Sequence, residues 1–339
     1  MVTAAPGGTP GGETGRARRR RTGARVISLL SDYGLADGFV GALHSVLRAR
    51  LPDVAIVDLT HEVRPQDVRA GSLALRRAAP YLAAGVVVAI VDPGVGTTRR
   101  PLAVQAAGAD LVLIGPDNGL LVPALEHLGG AALAIVLENP AYRLASPGPT
   151  FAGRDIFAPA AAHLAGGGEI GVLGREVGPG SLVRLPAPVC RKSGRGTLEA
   201  EVTWVDRYGN VQLAASAEAL TGTAADVAGL AGPTGSTAAV VGGAGGARGE
   251  GGPGAKLAAG NLFEVSLAGH WGAGGPWRAR LVRTYSDLAP GELGILIDSY
   301  GYLALCLNGA SSAEHLGAAE QDVVVLRPAG PQAGPPPAS

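Results

Sequence analysis

Asp92 directly follows the apolar run Val86 to Val91, and Arg99 and Arg100 come shortly after it in the segment VDPGVGTTRR. Open α/β sheets bind ligands beyond the carboxyl ends of their strands, so a carboxylate with a guanidinium in reach at such an end is a candidate for chemistry. A plain turn is the competing reading, with Asp92 capping it and the arginine solvating the cap; the residues alone leave both open. A second aspartate, Asp32, closes the run that precedes SDYGLADGFVGALHSVL. One carboxylate offers acceptor oxygens for two hydroxyls, which suits a ribose diol. A helix N-cap is the other role for such a residue, and Asp37 fits that role equally well. Two more polar clusters stand out. Asp117, Asn118 and Gly119 are turn formers at the end of an apolar run, and Thr150, Gly153, Arg154 and Asp155 gather hydrogen-bonding capacity in a loop that a buried core does not need.

The elements that must position these groups follow from the apolar spacing. Arg25 to Leu30 reads as a strand, and Phe39, Leu43, Val46 and Leu47 recur at helical spacing behind it. Val54 to Leu59 predicts a second strand, Asp67 the start of a helix ending near Tyr81, and Val86 to Val91 a strand buried on both faces, as in a parallel sheet. Leu102 to Gln105 and Leu111 to Ile114 add two more strands, and the chain turns helical after Asp155. The alternation of strand, turn and helix indicates an α/β domain, assigned to residues 26–188 and closed by the prolines at 179, 186 and 188. From Gly196 strands dominate: Leu198 to Val205, Val211 to Ala214 after the turn DRYGN, Leu262 to Leu267, Trp277 to Thr284, Leu293 to Ile297, Tyr302 to Leu307 and Val323 to Leu326. They make a compact β domain over residues 196–327. A Gly/Ala-rich stretch, 221–260, reads as an exposed, disordered insertion, and 1–25 and 328–339 read as flexible tails, the first of them basic.

Composition excludes several classes. The chain has 339 residues, a formal net charge of zero and only 17% charged residues, a balance that points to no nucleic acid and no acidic partner. The apolar run after the basic tail stops at Asp32, too short for a signal peptide, and no uncharged run of about 18 residues predicts a membrane span. Cys190 and Cys306 lie far apart without metal-type spacing, which fits reduced thiols and a cytoplasmic setting. The six histidines form no HxH or HExxH pattern, so no histidine-built metal site is expected, and His61 reads as a loop residue.

Taken in order, SDYGLADGFVGALHSVL, VDPGVGTTRR, PDNGLL, TFAGRDIFAPAAAHL, VDRYGN and GYLALCLNGASSAEHLG resemble the S-adenosylmethionine hydroxide adenosyltransferases, a family related to the S-adenosylmethionine-dependent chlorinases and fluorinases. The resemblance spans residues 26–326 outside the insertion. It implies an N-terminal α/β domain with a mostly parallel sheet, a C-terminal β-barrel, and a homotrimer whose active sites lie between one subunit's N-terminal domain and its neighbour's barrel. It also implies the reaction, in which water or hydroxide displaces methionine at C5′ of the ribose and releases adenosine, with no cofactor and no metal. By the same resemblance Asp32 binds the ribose hydroxyls, Asp37 lies near the methionine end, and Thr150, Phe151 and Gly153 line the pocket around C5′. Asp206, Tyr208, Asn210, Ser299, Asn308 and Gly309 of the adjoining subunit hold the methionine part and the adenine. Gln212 and Tyr300 are further, weaker carry-overs.

The catalytic set implied is an Asp, an Arg and a His. Asp92 and Arg99 match the first two. Ala152 stands at the histidine position, where this branch of the family usually reads TFHGRD. A methyl group neither accepts nor donates a proton, and losing general acid–base help costs about 10² to 10⁴ in rate. An engineered substitution, a natural weakened variant, and replacement of the imidazole by a water or another side chain stay open. Two other functions compete. A non-catalytic S-adenosylmethionine or adenosine binder is favoured by Ala152 and opposed by the retained Asp92 and Arg99. A halogenase is opposed by Asp92, whose charge would face the halide in a desolvated pocket.

Overall fold

The computed structural model describes residues 26–193, 196–221, 260–269 and 276–329. The basic tail, nearly all of the Gly/Ala-rich stretch and the last ten residues lie outside them.

The N-terminal part alternates β1 (Val26–Ser31), α1 (Phe39–Arg50), β2 (Ile56–Thr60), α2 (Val68–Ala78) and β3 (Gly85–Ile90), then β4 (Pro101–Ala106), β5 (Leu111–Pro116), α3 (Val122–His127), β6 (Ala131–Leu137), α4 (Ala158–Ala165) and β7 (Gly174–Val177). The strands form one sheet in the order β2-β1-β3-β5-β4-β6-β7. Pairing is parallel from β2 through β1 and β3 to β5, and antiparallel at β5–β4, β4–β6 and β6–β7, so only β4 and β7 run against the rest. The sheet is therefore mostly parallel, as the sequence predicts. Every residue of β3 is buried, because α1 and α4 cover one face of the sheet and α2 and α3 the other. Side chains alternate accordingly: Val86, Val88 and Ile90 join the first core, and Val87, Ala89 and Val91 the second. Asp67 caps α2 by accepting the Ala70 N–H at 2.8 Å.

The C-terminal part comprises β8 (Cys190–Ser193), β9 (Thr197–Val205), β10 (Val211–Ser216), α5 (Ala217–Thr221), β11 (Leu262–Leu267), β12 (Trp277–Leu281), β13 (Leu293–Ile297), β14 (Tyr302–Leu307), α6 (Ser312–Leu316) and β15 (Val323–Pro328). Seven of these strands close into a barrel, because β9, at one end of the order β10-β14-β13-β12-β11-β15-β9, also pairs with β10. The edge strand β8 is appended to β9. Leu198, Val202, Val211, Val265, Ile295 and Leu305 fill the interior, with the alternation a closed barrel requires. The two parts are clamped by Arg69 of α2, whose guanidinium makes two bonds to Glu201 of β9 at 2.6 and 3.0 Å and a third to the Pro186 carbonyl.

Strands β6, β7 and β8 have no counterpart in the sequence expectation. AALAIVL is alanine-rich and GREV and CRKS are short and polar, so their strand character comes from the neighbouring strands they pair with rather than from local preference.

Candidate active site

In the sheet order β2-β1-β3-β5 the chain leaves β1 toward one side and reaches β3 on the other, which makes the carboxyl ends of β1 and β3 a topological switch point. The two ends are in register, with Ser31 beside Ile90. Asp32 and Asp92 follow these ends, and the Asp32 N–H donates to the Ile90 carbonyl at 3.2 Å. Side by side, they put two carboxylates where an open sheet receives its ligand.

The backbone and the side chain of Asp92 make separate contacts. Its backbone carbonyl accepts the Val95 N–H and so shapes the turn, which Gly96 completes at φ +78°. The side chain is free of the turn and pairs with Arg99: Nε donates to Oδ1 at 2.8 Å, and a second guanidinium nitrogen donates to Oδ2. This fork-to-carboxylate geometry fixes the plane of Asp92. Asp92 is 6% exposed and Arg99 13%, and the Phe157 ring backs the guanidinium at 5.6 Å. Arg100 takes no part in the pair. It is bound to Asp117 and the Ser181 carbonyl, while Asn118 donates to the Val91 carbonyl at 2.8 Å; the PDNG cluster thus braces the strand end from which Asp92 projects.

Asp32 accepts the Gln66 N–H on Oδ2 at 2.8 Å, a bond that anchors the loop after β2, in which Gln66 takes φ +66°. Asp37 is exposed in the turn before α1. Across from them, Thr150 is exposed and Phe151 half-buried, and Ala152 and Gly153 are buried at the head of a π-helical turn, Gly153–Phe157, that leads into α4. Such turns widen a helix and recur at functional sites. The rings of Tyr33, Phe39 and Phe151 meet with centroids 5.2 to 5.7 Å apart, Phe39 keeping 44% of its surface exposed. Tyr33 is a site residue that strand-and-turn reasoning misses. A β-carbon on Gly153 would lie 2.5 Å from its hydroxyl, so the glycine makes room for the phenol. Burial, then the charges of Asp32 and Asp92, push the Tyr33 phenol well above its usual range, so it stays a neutral donor. Its place between Asp32 and Gly34 in the sequence was the available signal.

The barrel residues named from the resemblance form a different group. Asp206 holds the DRYGN turn, accepting the N–H groups of Tyr208 and Asn210 on Oδ1 and the Asn210 side-chain amide on Oδ2. Tyr208 is 80% exposed, Ser299 is exposed on the β13–β14 turn, and Asn308 donates to the Leu288 carbonyl next to Gly309 at φ +83°. Among the described residues no hydrogen bond or ion pair joins this group to the Asp32 or Asp92 loops. Gln212 and Tyr300 face the chain's own α2: Gln212 bonds Asp298, Thr203 and Arg77, and Tyr300 lines a cleft of about 900 Å³ between α2 and the barrel, together with Arg77, Tyr81, Trp204 and Glu320. Neither Asp32 nor Asp92 lines that cleft. The buried carboxylate and guanidinium lie at the switch point instead.

The model of the SAM hydroxide adenosyltransferase N-terminal domain matches residues 27–174, and that of the C-terminal domain matches 255–325. The (R)-S-adenosyl-L-methionine hydrolase of Salinispora tropica is 41% identical over 296 residues, 87% of this chain and 95% of the relative. The fluorinase of Actinopolyspora mzabensis is more distant, 29% identical over 209 residues, 55% of this chain and 70% of its own. An uncharacterized conserved protein from Thermotoga maritima, solved by crystallography, matches with a TM-score of 0.72 and 26% identity, covering 89% of this chain and all of that one. Two domain models matched in order, and a relative aligned over nearly its whole length, agree with the sheet and barrel described above: the chain belongs to the SAM hydroxide adenosyltransferase family.

Proposed function

We propose that this chain hydrolyses S-adenosyl-L-methionine to adenosine and L-methionine. The observation that carries the reading is the buried Asp92–Arg99 pair at the β1/β3 switch point, within a family whose relatives are named for this hydrolysis. Each oxygen of a carboxylate has two lone-pair directions, so pairing with Arg99 leaves Asp92 able to accept a hydrogen bond from a water. That water's oxygen attacks C5′, the C5′–S bond breaks, and its electron pair neutralises the sulfonium as methionine leaves. The water's second proton passes to Asp92 and then to solvent, so the cationic substrate plus water gives adenosine, methionine and one proton. The positive sulfur already activates the carbon, and the protein's part is to align a desolvated water and take its proton. Asp32 accepts the ribose hydroxyls, Asp37 faces the ammonium group, and Thr150, Phe151 and Gly153 enclose C5′. The aromatic faces of Phe39 and Phe151 suit a cationic sulfur.

With Ala152 in place of an imidazole and Tyr33 held neutral, Asp92 is the base. The carboxylate also disfavours a halide at the same spot, which separates this reading from halogenation. The isolated chain presents Tyr208 and Ser299 to solvent, away from its own switch point; a homotrimer in which they complete the neighbour's site accounts for that exposure. No helix among the described residues is long and apolar enough to cross a membrane, and we place the enzyme in the cytoplasm on its unpaired cysteines. The test is incubation with S-adenosylmethionine, the (R) epimer first, and chromatography of the products. Adenosine and methionine in equal amounts are expected, faster from Ala152→His. No adenosine from either chain overturns the reading and favours a pure binding protein; a chloride-dependent 5′-chloro product overturns it in favour of a halogenase.

A further inference from the structure

Three side chains from three different elements meet at β2. His44 comes from α1, Asp58 from β2 and His61 from the loop that follows, and their ligand atoms all lie within 4.8 Å of one another. Both imidazoles point Nε2 at the same carboxylate oxygen: His44 at 3.0 Å and His61 at 3.1 Å from Asp58 Oδ1. A tetrahedral zinc ion with bonds of about 2.0–2.1 Å keeps its ligand atoms about 3.3–3.4 Å apart, so each histidine would have to move from Asp58 Oδ1 by only a few tenths of an ångström, within a set whose ligand atoms already lie inside 4.8 Å.

The surroundings have the features of a ligand set. His61 is 2% exposed, and its Nδ1 is 2.7 Å from the hydroxyl of buried Ser31. A ligating histidine is usually oriented through its second nitrogen in this way. The Ser31 oxygen has lone pairs for both the Tyr33 N–H, at 3.2 Å, and an Nδ1–H, the tautomer that lets Nε2 present its lone pair to an ion. His44 is 33% and Asp58 41% exposed, which leaves an open side for water as a fourth ligand.

We infer that His44, Asp58 and His61 form a binding site for a divalent transition ion of the zinc class, outside the Asp92–Arg99 site. Two imidazoles and one carboxylate suit zinc better than magnesium or calcium, which prefer oxygen ligands. The ion would act as a brace. His61 also accepts the Gly34 N–H at 2.8 Å through its backbone carbonyl, so it holds the Ser31–Gly34 loop from both sides, and Asp32 lies within that loop. This departs from the expectation drawn from the histidine spacing. A strand, a helix and a loop contribute one ligand each, and no linear motif records that.

Zinc chloride titrated calorimetrically into the whole chain, stripped with a chelator and dialysed, is the test, with His44→Ala and Asp58→Asn alongside. The expected result is one zinc per chain with micromolar or tighter affinity, at least about 100-fold weaker in either variant while their circular dichroism stays that of the wild type. A second readout needs no variant: cobalt(II) should give the intense visible bands of a tetrahedral site, and zinc should slow amide exchange in residues 31–36. No saturation at millimolar zinc, equal binding by the variants, or octahedral cobalt spectra with unchanged exchange would overturn the inference. None of these readouts depends on turnover of S-adenosylmethionine.

Discussion

At the scale of single residues, the account rests on what Asp92 can do that an amide cannot. Asp92→Asn keeps the shape and one acceptor but removes the charge that takes the proton. Its kcat should fall by about 10² to 10⁴ with KM nearly unchanged, read from steady-state kinetics. A similar fall in Arg99→Lys would show that the fork matters, since an ammonium cannot hold both carboxylate oxygens in one plane. Gly153 supplies a second prediction. Its missing β-carbon is the space taken by the Tyr33 hydroxyl, so Gly153→Ala should destabilise the fold by about 1–3 kcal/mol in urea denaturation. Tyr33→Phe should recover part of that loss, although Ile90 also crowds the position at 3.1 Å; strict additivity would refute the contact. Asp92, Arg99 and Asp32 were legible in the sequence because each directly follows or closely trails an apolar run, and strand ends in parallel sheets are where ligands bind. Tyr33 was not, because its role depends on a loop more than a hundred positions later folding onto it. His44, Asp58 and His61 lie close in sequence but on a helix, a strand and a loop, so their meeting depends on how α1 packs beside β2.

Among the elements, the long apolar runs announced themselves, and β1 to β5 follow from them to within a residue or two. Strands such as β7 did not, because four residues with one apolar side chain become a strand only when β6 offers its edge. The π-helical turn was equally hidden: helical character after Asp155 is plain in the sequence, but the widened turn that buries Ala152 and Gly153 is a tertiary feature. Strand β14 carries a prediction of its own. Its Cys306 is fully buried, in a small cluster with Val282, Leu288 and Leu296, and burial pushes its thiol from 9.0 to about 12. In the unfolded chain that thiol ionises near pH 9, whereas in the folded chain it keeps its proton. Above pH 9 the unfolded state therefore binds fewer protons, and stability falls as pH rises toward 12, by at most about 1.4 kcal/mol per pH unit. Chemical denaturation of wild type and Cys306→Ala between pH 8 and about 11 should show a steeper loss in the wild type, since the variant keeps only the loss from the neutral, buried Tyr33 phenol. Equal slopes would refute it.

For the whole molecule, the clamp between Arg69 and Glu201 sets how α2 meets the barrel, and Tyr208 of the DRYGN turn stays exposed. Light scattering should give a particle of three chains, and Tyr208→Ala should raise KM for S-adenosylmethionine several-fold without lowering the mass; an active monomer would contradict the shared site. The sheet-plus-barrel architecture could be anticipated from the motifs, whereas the relation between the two halves could not, since Arg69, Arg77 and Arg64 carry no mark of their barrel partners. The central claim is that the β1/β3 switch point drives a water at C5′. Turnover of S-adenosylmethionine in water enriched in heavy oxygen tests it most directly. Mass spectrometry should find the label in the 5′-hydroxyl of adenosine and none in methionine. Adenosine without the label, or no adenosine from either the wild type or Ala152→His, would contradict the account.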